Sequence, residues 1–270
     1  MQKNTVQNIF FEISFWLLFV VAICGGIALS LCKPALSVSS SVAAADITTL
    51  QNNYQNAMMN YLQAVAQFNR DKKLYLNEMS DSNRASLLSN ANKTYQTRRE
   101  AVVAYIDYLS QLVTIYVTDE VAQTTLLTKL STQRQQVVSL KATYTDLSGW
   151  YQIDADFTNV YTQITETASQ VFAYVYWHEL NNIIEEYVTN YQERSQTILD
   201  EAANQVVRTQ KVEALAKTER ELKNLQEAIK ARYSTLATIN SINGYESFRK
   251  QLDDILNDTE SSLKVYASLE

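Results

Sequence analysis

An all-α fold is what this sequence predicts, and three observations predict it. Only one Pro and four Gly occur in 270 residues. After position 45 there is no Pro, and Gly149 and Gly244 alone remain, too few residues for the positive-φ turns that a sheet protein of this size needs. Apolar side chains also recur at three-, four- and seven-residue spacing through most of 46–270, the period of a helix with one buried face. The expected architecture is an elongated antiparallel helical bundle of long hairpins with coiled-coil character. One N-terminal transmembrane or signal helix precedes it.

Hydrophobic residues make up 46% and charged residues 19% of the chain, the balance of a globular protein. The net charge is −6. Setting aside Lys3, Lys33 and Glu12 leaves 21 basic against 28 acidic residues after position 45. No basic cluster stands out, so nucleic acid is not an expected partner. Both cysteines, Cys24 and Cys32, lie in the N-terminal apolar run. The rest of the chain has no disulfide and no thiolate metal site to draw on.

Residues 1–12 form a short polar head, expected on the cytoplasmic side. Residues 13–32, ISFWLLFVVAICGGIALSLC, carry no formal charge over 20 positions, which suits one helical crossing of a lipid bilayer. Pro34 stops that helix. The small residues of 33–45 then read as a tether, with a frayed first turn of the next helix as the alternative from Val42 onward. Ala43-Ala44-Ala45 before Asp46 meets the small-residue rule for signal cleavage. The apolar run is longer than a usual signal core and stands well upstream of that bond, which favours a retained anchor. Release into the medium after cleavage at Ala45–Asp46 is the alternative.

Within 46–270, the extracytoplasmic domain, helices follow from stripes and stop signals. The first is expected over about 46–77, with Tyr54, Tyr61, Phe68 and Leu76 on one face. The polar cluster Ser80–Asn83 ends it and caps a second helix over about 83–116, in which Leu88, Tyr95, Val102, Leu109 and Tyr116 stand seven apart. Thr118-Asp119-Glu120 begins a third helix expected to reach Leu147, before the stop Ser148-Gly149-Trp150. A long track follows from about Asp154, free of Gly and Pro. Phe157, Val160, Ile164, Val171, Val175 and His178 lie along one line of it. Leu180, Ile184, Tyr187, Tyr191, Ile198 and Ala202 lie along the opposite line. Such a helix either breaks near 177–180 or runs straight between two sets of partners. Leu215, Leu222, Ile229 and Leu236 keep the heptad, so little or no break is expected around Thr209. Residues 240–244 turn the chain into a last helix striped by Phe248, Leu252 and Ile255.

Little chemistry is expected. His178 is the single histidine, and a di-iron bundle would need Glu-x-x-His on two helices. Val175 occupies the position that the Glu would take. No nucleophile motif of the G-x-S-x-G kind occurs. The sequence thus predicts no catalytic, cofactor-binding or metal-binding residues, no cofactor, no small-molecule substrate and no enzyme. The run 171–177, VFAYVYW, is too short to cross a bilayer and coincides with the stripe reversal, so it reads as core. All 17 tyrosines follow position 45. Tyr108, Tyr151, Tyr174 and Tyr176 fit the stripes least well and are the candidates for a partner surface. Alternating charges over 211–232, such as Glu213 with Lys217 and Glu219 with Lys223, read as a solvated helix face or as a site of self-association. Asn92-Lys93-Thr94 and Asn257-Asp258-Thr259 match the glycosylation triplet, a pattern that arises often by chance.

The expected function is a membrane-anchored helical scaffold or protein-interaction module of the cell envelope. It would be held in the bilayer through 13–32 and paired with another envelope protein or with itself. A secreted helical pore-former or toxin component is the rival. A sensing ectodomain with a separate signalling partner is a third reading.

Overall fold

The computed structural model describes residues 41–141, 143–146, 150–201 and 205–267, with side chains described for these except 41–45, 150–156, 259–263 and 265–267. The head, the apolar run 13–32 and the linker up to position 40 lie outside the described residues, as does the stop at Ser148-Gly149. Six α-helices and one 3₁₀ segment account for most of the described chain, and no strand occurs among these residues. Ala45–Glu270 make up one compact unit.

The first helix, α1, spans Ser41–Asn77. It begins within the small-residue run, where the alanines at 43–45 favour helix over tether. Tyr54, Tyr61, Ala64 and Phe68 are buried along it. Leu76 belongs to the expected stripe by spacing but is 53% exposed. It lies at the hairpin end, past the first buried residue of the next helix, Leu87. That helix, α2, spans Asp81–Tyr116 and is capped by Ser80, whose hydroxyl accepts from the Asn83 N–H at 3.3 Å. It runs antiparallel to α1. Asn90 Nδ2 donates to Asp71 near the turn, and the Tyr54 and Tyr105 rings stack at 5.0 Å towards the other end.

Asp119 caps α3, Glu120–Ser139, by accepting from the Ala122 N–H at 2.7 Å. Asp107 and Arg134 join α2 to α3 at 2.8 Å. The third helix is shorter than its stripe suggests. Leu140 turns to extended backbone, φ −60° and ψ 134°. Leu140 and Tyr144 instead cross to pack on Tyr95 and Phe157. Tertiary burial of these two side chains outweighs one or two further turns of helix, whose intrinsic stability is small.

The long track is one helix, α4, Trp150–Asp200. It does not break at the stripe reversal. Its first half is held by α2 and α3. Tyr95 stacks on Phe157 at 6.0 Å, and Gln133 Nε2 donates to the Gln163 carbonyl at 3.0 Å and the Thr167 hydroxyl at 2.8 Å. Its second half is held by α5, Gln205–Arg232. There Tyr191, Ile198, Leu215 and Leu222 form one buried cluster, and the Tyr191 hydroxyl donates to the Leu215 carbonyl at 2.8 Å. Between the halves, all nine residues from Thr167 to Val175 are buried.

The heptad 215–222–229–236 therefore does not prolong α4. The helix α5 runs back along α4, and Lys211 Nζ reaches the Ile198 carbonyl at 3.5 Å. The reason is burial. A continuous helix would leave the second-half stripe of α4 and the α5 heptad both facing water, whereas a hairpin buries each against the other. The outer face of α5 keeps its charges, with Lys217 paired to Glu221 at 3.7 Å. A 3₁₀ segment, Tyr233–Thr238, leads to α6, Ile242–Ala267. Gly244 lies in the first turn of α6 with ordinary negative φ. Its N–H donates to Ser241 Oγ at 3.1 Å, and a Cβ at that position would meet the same oxygen at 3.1 Å. Glycine there leaves room for the cap.

Candidate interaction surface

The chemistry-bearing side chains collect where the two halves of α4 meet. Val171 and Ala173 are fully buried, and Phe172, Tyr174 and Val175 nearly so, so this run is core. The Tyr174 ring stands edge-on to Tyr233 at 6.0 Å, and Trp177 meets the same Tyr233 ring at 4.7 Å. Trp177 Nε1 donates to the Ile229 carbonyl at 2.7 Å. Ile229 is in the last turn of α5, where carbonyls lose their helical partners, so the indole satisfies one of them. Burial, then the charge of Asp119, raises the Tyr233 phenol, so the start of α3 lies near the 3₁₀ segment. Burial, then the charges of Tyr233 and Asp119, push the Tyr174 phenol up to about 12.

His178 sits half-buried beside this group, with the Tyr116 ring edge-on at 5.5 Å. Burial, followed by the charge of the Glu179 carboxylate, raises the Tyr116 phenol well above the ordinary range. One tyrosine thus stands near both the imidazole and the carboxylate, which helical spacing places about 100° apart on α4. On the far side, Phe172 faces Tyr245 at 6.4 Å. The Tyr176 hydroxyl donates to Asp253. Arg249 lies over the Tyr176 ring at 5.7 Å and within 3.7 Å of the same carboxylate. Burial first, then Asp253, pushes the Tyr176 phenol up to about 12.

Of the four tyrosines singled out by sequence, Tyr108, Tyr174 and Tyr176 have described side chains. Tyr174 is 3% exposed. Tyr176 is half-buried against α6, and Tyr108 is half-buried on α2, its charge acting on Tyr116. Tyr151 lies in the first turn of α4, and its side chain falls outside the described residues. Ala45 and Asp46, the candidate cleavage pair, both lie within α1; Asp46 is exposed and the Ala45 side chain is not described. Among the described residues no three metal-ligating side chains come together. No helix of these residues is long and apolar enough to cross a membrane, and 13–32 lies outside them.

Several polar contacts had no clear sequence signal. Asn92 Nδ2 donates to the Tyr144 carbonyl at 3.0 Å, and Asn92 Oδ1 accepts from the Tyr144 N–H at 2.9 Å. The side chain thereby mimics a backbone partner for the loop after α3. The Asn92 triplet is consequently part of the packing, and Thr94 is buried with its hydroxyl on the Asn90 carbonyl at 2.8 Å. Arg98 stacks over Phe157 at 4.5 Å and Tyr161 at 4.9 Å. Compositional reading counts Arg98 as a surface charge, whereas its planar guanidinium is suited to lie on rings. The chain was compared with protein-family models, with curated proteins and with solved structures, and it matches none of them.

Proposed function

We propose that this protein is a non-enzymatic scaffold or interaction module of the cell envelope, anchored in the bilayer through residues 13–32. Its helical domain would stand outside the membrane as an elongated antiparallel bundle of long hairpins with coiled-coil character. The observation that carries the reading is the order of parts. An uncharged run of 20 residues and a small-residue linker precede a helical unit in which several aromatic and titratable side chains join helices. Tyr174, Trp177 and Tyr233 interlock, and Tyr176, Asp253 and Arg249 clamp α6 to α4. Such groups hold shape, and a rigid helical surface is what a scaffold presents to a partner.

A C-terminal tag read by protease protection in intact cells tests the topology. The tag is expected to be reached from outside, and a tag accessible only from the cytoplasm overturns the proposal. Mass spectrometry of the membrane fraction then reports whether the chain begins before residue 13 or at Asp46, and which envelope protein co-purifies.

A further inference from the structure

We propose that the tip of the α1–α2 hairpin is a lipid-contacting element that docks end-on into an anionic membrane surface. Leu74 is 55% exposed, Leu76 53% and Met79 74%, an unusual density of large apolar side chains open to water within six residues. Their directions identify the occupant. Leu74 and Leu76 are two residues apart on a helix, hence about 200° apart around its axis, and Met79 lies in the turn beyond. A protein partner resting on one side of the hairpin would cover one of these residues and leave the others wet. A lipid interface entered tip-first covers all three.

The charges agree with that direction of entry. Arg70 stands one turn behind Leu74, and Lys72 and Lys73 stand one turn behind Leu76, about 6 Å back along the axis. Arg84 stands in the first turn of α2. The three exposed cations, Arg70, Lys73 and Arg84, with Lys72 half-buried among them, form a collar behind the apolar end, at the depth where phosphate headgroups would lie if the tip entered the acyl boundary. Two exposed acids, Glu78 and Asp81, oppose them. The third acid of the segment, Asp71, is 7% exposed, with its oxygens taken by Gln67 and Asn90. The segment 70–84 is therefore net positive, by one charge, in a chain of net charge −6. A long-chain amphipathic collar of Lys and Arg around Leu and Met is the composition that favours an anionic interface over a neutral one.

The test uses the full chain carried in phosphatidylcholine nanodiscs and floated with large vesicles of phosphatidylcholine, with or without phosphatidylglycerol. Co-flotation is expected only with phosphatidylglycerol. It is expected to fall roughly tenfold or more in Leu74→Ser/Leu76→Ser/Met79→Ser, and to weaken in Lys73→Gln/Arg84→Gln. Unchanged circular dichroism and urea midpoints show that both variants fold. Three outcomes overturn the proposal: no flotation of the native chain, flotation indifferent to phosphatidylglycerol, or equal flotation of native and triple variant. In each of these the tip is left to a protein partner or a second copy. A chain that does not enter nanodiscs sinks the anchor reading instead, and the same flotation of the free chain still judges the tip.

Discussion

Replacing Asn92 tests how the loop after α3 is held against the first half of α4. The native carboxamide makes two hydrogen bonds to one peptide unit, donating to the Tyr144 carbonyl at 3.0 Å and accepting from its N–H at 2.9 Å. Each such bond contributes about 0.5–1.5 kcal/mol net, and these are half-buried with water near at hand, so Asn92→Ala should cost about 1–2 kcal/mol. Asn92→Asp keeps the acceptor but sets a carboxylate oxygen against the Tyr144 carbonyl, and a similar loss is expected. Leu140 and Tyr144 still pack on Tyr95 and Phe157, so the loop loosens without leaving the core. Urea unfolding should show a lower midpoint at unchanged slope. Amide exchange at Tyr144 should quicken by roughly tenfold, the equivalent of about 1.4 kcal/mol of local opening. An Asn92→Ala chain within about 0.5 kcal/mol of the native one, with unchanged exchange at Tyr144, refutes the claim that this side chain ties down the loop.

Other perturbations reach the remaining joints. Ile184 is fully buried on α4, so Ile184→Ala should lose about 2–5 kcal/mol in chemical denaturation, whereas Val121→Ser, 76% exposed, should stay within about 0.5 kcal/mol. Gln133 is 5% exposed, and its Oε1 is a buried acceptor without a partner while Nε2 makes two bonds. Gln133→Met gives up those bonds but removes the orphan acceptor, so its unfolding free energy should fall by no more than about 1 kcal/mol. At high pH the raised phenols of Tyr174 and Tyr176 bind protons that the unfolded chain has lost. Their contribution is present below about pH 10 and disappears as pH rises through about 12. Tyrosinate absorbance should rise late and together with loss of helix, and Tyr174→Phe should flatten that alkaline loss. Lys72 acts in the opposite sense. Desolvation holds it at about 8, so the folded state sheds its proton first and gains stability from there towards the ordinary lysine range, read as a rising urea midpoint.

Much of the helical layout was legible without coordinates. Ser80 and Asp119 cap α2 and α3 where short polar side chains precede apolar stripes, and the lack of glycine and proline ruled out sheet in advance. The two opposed lines of apolar residues on α4 left open a break or a straight run between two sets of partners, because a stripe records the direction of burial whatever does the burying. The helix runs on without a break. Leu140 and Tyr144 show where this reasoning ran out. Their spacing continues the α3 stripe, yet they are buried across the core in extended chain, since a local pattern does not say which neighbour supplies the contact. The heptad of α5 misled for the same reason. Spacing alone is identical for a helix that runs on and for one that turns back at Asp200.

The candidate site was less legible than the fold. Tyr174 and Tyr176 departed from the stripes, but they did so because α5, the 3₁₀ segment and α6 cover faces of α4 that a two-line reading leaves open. Leu76 matched the stripe and is exposed, because α1 extends past the buried part of α2. Sequence by itself determined the helical class of the described chain and the caps of α2 and α3, which depend on neighbours within a few residues. Only tertiary packing decided where the chain reverses, which tyrosines are buried, and which apolar side chains remain in water. Those outcomes depend on contacts between residues dozens of positions apart, such as Trp177 with Ile229 and Asn92 with Tyr144, and no periodicity encodes them.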